Sequence, residues 1–174
     1  FTAPDQRLER SAYALDLHNR AASRSAADGA LVARALELGC RGDRETPMRF
    51  AGWHGDWTPW NMMPARGKLL VWDWERAGGP VPLGFDAVHY FFQSAWLREA
   101  ASAEAAIDLA LDRSADVLAA LGVPRVHRDS IGLLYLSELF LRYAENADHG
   151  TDQLRGDRHD QVRRALQQRV AEGG

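Results

Sequence analysis

The segment IGLLYLSELFL, residues 131–141, constrains the fold more than any other part of the chain. It falls within a helix predicted near 127–147, where its apolar side chains point almost all round, and a helix of that kind has to be buried. Further helices are predicted near 83–98, 103–121 and 157–171. In the last of these, Val162, Leu166 and Val170 recur at i, i+4 and i+8, the stripe of a surface helix with one face turned inward. Residues 5–39 form another helical zone, rich in Ala, Leu and Arg. There Leu31, Ala35 and Leu38 are spaced for a helix ending at Gly39, before the loop RGDRETP.

Residues 48–75 break the helical pattern. MRFAGW is strand-like, HGDWTPWN has the Pro and polar content of a loop, and MM begins a short strand. PARGK reads as a turn and LLVWDW as a second strand, and the turn AGGPVP leads into LGFDAVHYFFQSAWL. The fold class expected is mostly α with a small β-hairpin (α+β), as a single domain over 1–174.

Composition narrows the function classes. A net charge of −3 supplies no basic field to attract a nucleic-acid backbone. No apolar run approaches the roughly 18 residues needed to cross a bilayer. Cys40 is the only cysteine, so there is no internal disulfide and no cysteine-based metal cluster, which favours a cytoplasmic protein. The chain starts at Phe1 with neither an initiator Met nor a secretory signal pattern, so a cut start or a piece of a longer protein is expected.

The unusual residues lie in one string, His54-Gly55-Asp56-Trp57-Thr58-Pro59-Trp60-Asn61, followed by Val71-Trp72-Asp73-Trp74-Glu75. Phosphoryl transfer needs a carboxylate beside the attacking hydroxyl and oxygen ligands for Mg²⁺ bridging the phosphates. Mg²⁺ prefers hard oxygen donors, one or two of them protein carboxylates. An Asp and an Asn on one loop, with an Asp brought back by a hairpin, supply that set.

The order H-G-D-x-x-x-x-N, then D-W-E, resembles the aminoglycoside phosphotransferase and choline kinase group more than the protein kinases, whose loop reads H-R-D-x-x-x-x-N before D-F-G. The resemblance is sharp over residues 53–92 and architectural beyond. It implies a protein-kinase-like C-terminal lobe that phosphorylates a hydroxyl of a small molecule with Mg²⁺ and ATP, GTP remaining possible. By the same resemblance Asp56 is the catalytic base or orients the hydroxyl, Asn61 and Asp73 bind metal, His54 braces the loop, and Asp86 anchors it through backbone N–H groups. The glycine-rich phosphate loop and its lysine are absent, since Lys68, the lone lysine, falls in the PARGK turn. The expected partners are therefore the nucleotide, the hydroxyl substrate and a missing N-terminal lobe of the same protein.

Several residues keep two readings. Asp56 and Asn61 are also ordinary turn formers. Asp73 looks costly inside LLVWDW unless it is paired or binds metal. Asp86 could instead stabilise a helix N-terminus. Glu75 could assist the metal region or pair with Arg76. Glu138 could face the substrate cleft or pair with Arg142 at i+4. Trp57 could stack on substrate, as could Trp60 and Trp74, or all three could pack the lobe. Two other functions compete: a kinase-like binding or regulatory module without turnover, and a metal-dependent hydrolase using His54, Asp56, Asp73 and His89, which lacks the close two-His spacing of zinc sites.

Overall fold

The computed structural model describes residues 5–42, 46–148 and 153–173. Seven helices are assigned: α1 (Ala12–Ala22), α2 (Ala26–Gly42), α3 (Phe85–Arg98), α4 (Ala103–Arg113), α5 (Ala115–Ala120), α6 (Arg128–Asp148) and α7 (Gln153–Glu172). The strands are β1 (Phe50–Trp53), β2 (Met62–Ala65), β3 (Lys68–Val71) and β4 (Gly78–Pro82). The molecule is mostly helical with a small β component, and among the described residues no helix is long and apolar enough to cross a membrane.

α6 is the axle. Every residue from Ser130 to Leu141 is buried, and α1, α2, α3, α4 and α7 all pack on this helix. Apolar side chains fall on every face of that stretch, so only neighbours on all sides can keep water from it; each fully buried aliphatic or aromatic side chain contributes roughly 1.5–3 kcal/mol. α7 answers with Val162 and Leu166 buried and Val170 packed against the core, so the predicted stripe faces inward. Ser11 and Ser102 cap α1 and α4 by accepting hydrogen bonds from Ala14 N and Ala105 N. The helix expected over 103–121 is two, α4 and α5, broken at the buried Ser114. The one expected to stop at Gly39 runs to Gly42; of the loop drawn after it, residues 43–45 lie outside the described residues.

The strands depart further from expectation. Instead of one hairpin there are two separate antiparallel pairs, β1 with β4 and β2 with β3. AGGPVP, read as a turn, supplies β4, with Phe50 opposite Pro82 and Ala51 opposite Val81. β3 stops at Val71, short of the strand read through Trp74; Asp73 adopts left-handed backbone at φ 63°, and a 3-10 turn, Trp74–Arg76, follows. Asp is among the few non-glycine residues that visit this region without prohibitive cost. Trp53 on β1, Phe85 on α3 and Tyr135 on α6 meet edge to face at centroid distances of 5.6 and 5.8 Å, and this aromatic seam fixes the sheet and both helices against one another.

Candidate active site

The loop after β1 carries the HGD string, and its shape is set from below. Asp86, one residue into α3, accepts hydrogen bonds from the backbone N–H groups of His54 (2.9 Å) and Gly55 (3.2 Å). The contact expected of Asp86 is therefore present. His54 is buried and bonded at both ring nitrogens. Nδ1 accepts from the Asp56 N–H at 3.2 Å, which leaves Nε2 to carry the proton and donate to the Trp72 carbonyl at 2.9 Å. One neutral imidazole thus ties the Asp56 loop to the segment carrying Asp73. Gly55 sits at φ +80°, and a Cβ there would overlap the carbonyl oxygen of Arg76, so the middle letter of the motif is demanded by space as well as by backbone.

Asp56 is half-buried and held on both oxygens. Oδ2 accepts from the side-chain amide of Asn61 at 2.9 Å, and Oδ1 accepts from His89 Nε2 at 3.3 Å. Asn61 also donates to the Asp56 carbonyl at 3.0 Å. Behind His89, its Nδ1 accepts from the Tyr135 hydroxyl at 2.9 Å, on α6. Burial lowers the His89 pKa and raises that of Tyr135, so His89 is neutral and Tyr135 keeps its proton. That assigns the direction of the chain: Tyr135 O–H to His89 Nδ1, and His89 Nε2–H to Asp56 Oδ1. The His89 hydrogen bond, joined by Asn61 and by the charge of Arg76, holds the Asp56 carboxyl below the usual carboxylate range against its partial burial. Asp56 is an ionised acceptor of fixed orientation.

His89 is the residue whose part here the sequence did not indicate; it appeared only among possible zinc ligands. A signal existed, because Asp86 and His89 stand three apart on α3 and share a face. Of the hydrolase reading, His54 and His89 both meet Asp56, but among the described residues no group of three or more His, Cys, Asp or Glu side chains could hold a metal ion.

The two residues expected to bind metal lie across a rung. Trp72 N–H donates to the Asn61 carbonyl at 3.2 Å, continuing the β2–β3 ladder by one residue, and Asp73 comes next. Both amide hydrogens of Asn61 are used on Asp56, so its Oδ1 is the atom left to offer a cation. Asp73 is exposed, and no described residue partners its carboxylate. This corrects the argument that burial inside a strand would force Asp73 to find a counter-charge. Its distinction is instead a left-handed backbone with a free acid, and such strained positions concentrate where a ligand is handled. Two hard oxygen donors, one anionic, suit Mg²⁺ sharing its shell with phosphates and water.

The remaining expectations divide. Glu75 lies 3.8 Å from Arg76 and is exposed, so the pair contributes little. Glu138 reaches Arg142 only at 3.9 Å; its close partner is Arg20 on α1 at 2.8 Å, which Glu145 also engages. Burial costs that shared cation solvation, but the two carboxylates more than offset it and raise its pKa. Glu138 lines a cavity of about 470 Å³ between α1, β4 and α6, a different cavity from the one Asp56 lines. Trp57 stands edge-on to the His54 ring at 5.7 Å, while Trp60 is the tryptophan on the wall of the Asp56 cavity. Trp60, Met63, Leu69, Leu70, Trp72 and Trp74 all carry substantial exposed surface, so the β2–β3 hairpin and its flanks form an uncovered apolar face.

Comparison with protein-family models, with curated proteins and with solved structures finds no significant match to this chain.

Proposed function

We propose that this chain carries the catalytic loop of a phosphotransferase that moves the γ-phosphoryl group of ATP to a hydroxyl of a small molecule. The observation that supports this most is Asp56. It is an ionised carboxylate, oriented by two donors, on a loop whose backbone is pinned by Asp86, and it borders a cavity.

The chemistry follows from that orientation. The acceptor hydroxyl donates its hydrogen to Asp56, which fixes the oxygen lone pair toward phosphorus. A carboxylate of lowered pKa is a poor base for a free alcohol. It takes the proton as the new oxygen–phosphorus bond forms and the hydroxyl becomes acidic. The bond from the γ-phosphorus to the bridging oxygen breaks, and the electron pair leaves with ADP. Asn61 Oδ1 and Asp73 would hold Mg²⁺, which neutralises phosphate charge when bound. His54 keeps Asp56 and Asp73 in register, so the hydroxyl-handling and metal-handling halves are spaced by one side chain.

The test is transfer of radiolabelled γ-phosphate from Mg-ATP to a panel of hydroxyl compounds by the full-length gene product, beside Asp56→Asn. Labelled product from the wild type and none above background from Asp56→Asn is the expected result. Nucleotide binding with no transfer to any acceptor would favour a binding module, and equal turnover by Asp56→Asn would overturn the assignment.

A further inference from the structure

The cavity bordered by Asp56 has a volume of about 270 Å³, just under the size range of small-molecule sites, and three arginines stand on its wall. Arg76, Arg142 and Arg158 line it, and Asp56 is the only acid among the described residues of its lining. The three arginines are not equally committed. Arg142 is fixed as part of the wall: it donates to the Gly55 carbonyl, lies over the Trp53 ring at 4.5 Å and has the buried Glu138 at 3.9 Å. Among the described residues Arg76 forms one ion pair, with the exposed Glu75 at 3.8 Å, too weak and too wet to neutralise it. Arg158 rests over Trp96 at 5.6 Å and forms no ion pair among the described residues. The acids that quench charge elsewhere on this side, Glu138 and Glu145, are turned to Arg20 and the neighbouring cavity.

Gln93 gives an independent pointer. It lies on α3 one turn beyond His89, only 5% exposed, on the wall of the same cavity, and its amide bonds to no described residue. The amide offers a paired donor and acceptor to the cavity, which suit a hydroxyl.

We propose that this cavity is the acceptor site and that the acceptor is a small hydroxylated anion, carrying a carboxylate or phosphate group opposite the hydroxyl that Asp56 orients. This deepens the phosphotransfer reading and rests on it for the role of Asp56. A planar carboxylate or a phosphate meets the guanidinium groups of Arg76 and Arg158 with charge-assisted, bidentate bonds. A polycationic or amino-alcohol acceptor would face the like charges of Arg76 and Arg158, with Asp56 the one described acid of the lining to offset them.

The experiment varies charge on one scaffold. Glucose, glucosamine, glucuronate and glucose 6-phosphate are titrated calorimetrically into the full-length protein, and the same four are offered as acceptors with labelled Mg-ATP. Either or both anions should bind at least about tenfold tighter than glucose and glucosamine, an advantage that shrinks as salt rises. The two anion arms separate a carboxylate site from a phosphate site. Arg158→Glu and Arg76→Gln should each remove most of that preference, with circular dichroism confirming that the variants fold. If Arg158→Glu does not fold, Arg76→Gln and the salt dependence still decide the matter. Glucosamine binding as tightly as either anion, or no anion binding at millimolar concentration, overturns the proposal. Selective anion binding with no transfer to any compound keeps the site and sinks the phosphotransfer reading. Transfer confined to glucose or glucosamine keeps phosphotransfer and sinks the anion site.

Discussion

Asp56 and Asp73 stand on either side of the β2–β3 hairpin and are built in opposite ways. Asp56 accepts from Asn61 and His89, stands on backbone held by Asp86, and is backed through His89 and Tyr135 by the buried α6 axle. Asp73 is exposed, left-handed, without a partner among the described residues, and flanked by the exposed Trp72 and Trp74. A group that must present one geometry to a hydroxyl is best held from behind, because misplacement by an ångström is costly in rate. A group that meets a metal and phosphates gains its partners only when they arrive. The helical block is closed around α6, whereas the hairpin presents exposed apolar surface at Met63, Leu69, Leu70, Trp72 and Trp74.

The largest expected effects come from removing each acid in the full-length protein. Asp56→Asn should lower kcat by roughly 10²–10⁴-fold with little change in nucleotide affinity, as expected for a group acting on the proton in transit. Asp73→Asn should instead raise the Mg-ATP requirement together with the loss of rate, and excess Mg²⁺ should partly restore it. Steady-state kinetics across nucleotide and Mg²⁺ concentration measure both. Matching profiles for the two variants would erase the distinction.

Stability should sharpen the same contrast. Asp86→Ala strands the N–H groups of His54 and Gly55, at about 1–3 kcal/mol for each group left unsatisfied in a buried setting. Gly55→Ala forces a Cβ against Arg76 at positive φ and should cost of the order of 1–3 kcal/mol. Asp73→Ala loses no partner among the described residues and pays only for placing Ala in left-handed backbone, about 1 kcal/mol. Urea denaturation of the three variants ranks them; an Asp73→Ala loss as large as that of Asp86→Ala would mean that Asp73 is structural.

What could be read from the sequence follows the same division. The α6 axle and the stripe on α7 were legible because hydrophobic periodicity reports burial directly. The contact of Asp86 with the loop was reached through the likeness of the HGD and DWE strings to a known pattern, not through any local rule. LLVWDW misled because an apolar run says that a surface is sticky, not that this chain covers it; Leu69, Leu70, Trp72 and Trp74 are exposed. β4 was missed because Gly and Pro read as a turn, although on a two-stranded edge both are tolerated. Arg20, 118 residues from Glu138, could not be paired with it by spacing, and neither could Tyr135 with His89. Those partners are fixed by helix packing.

The smallest effect, and the finest probe of the held acid, is its pH dependence. His89 is buried neutral with its pKa below the ordinary 6.5. Between that lowered value and 6.5 the unfolded chain binds the extra proton, so stability rises with pH across the window and falls on acidification. Asp56 has the same sign lower down: its lowered pKa contributes stability above the ordinary carboxylate value, and this is lost as pH falls through the folded value. His89→Gln removes the first contribution while leaving a side chain able to donate toward Asp56. Its unfolding free energy should therefore vary less between pH 5 and 7 than that of the wild type, while the acid-side loss at lower pH remains. The acid limb of the rate profile should move up toward the ordinary carboxylate range, since the donor that most depresses the Asp56 pKa is replaced by a weaker one. Urea melts at half-unit pH steps, with rate profiles on the same samples, measure both. If the variant and the wild type superimpose in both measurements, His89 only fills space behind Asp56, and the orientation of the acid rests on Asn61 alone.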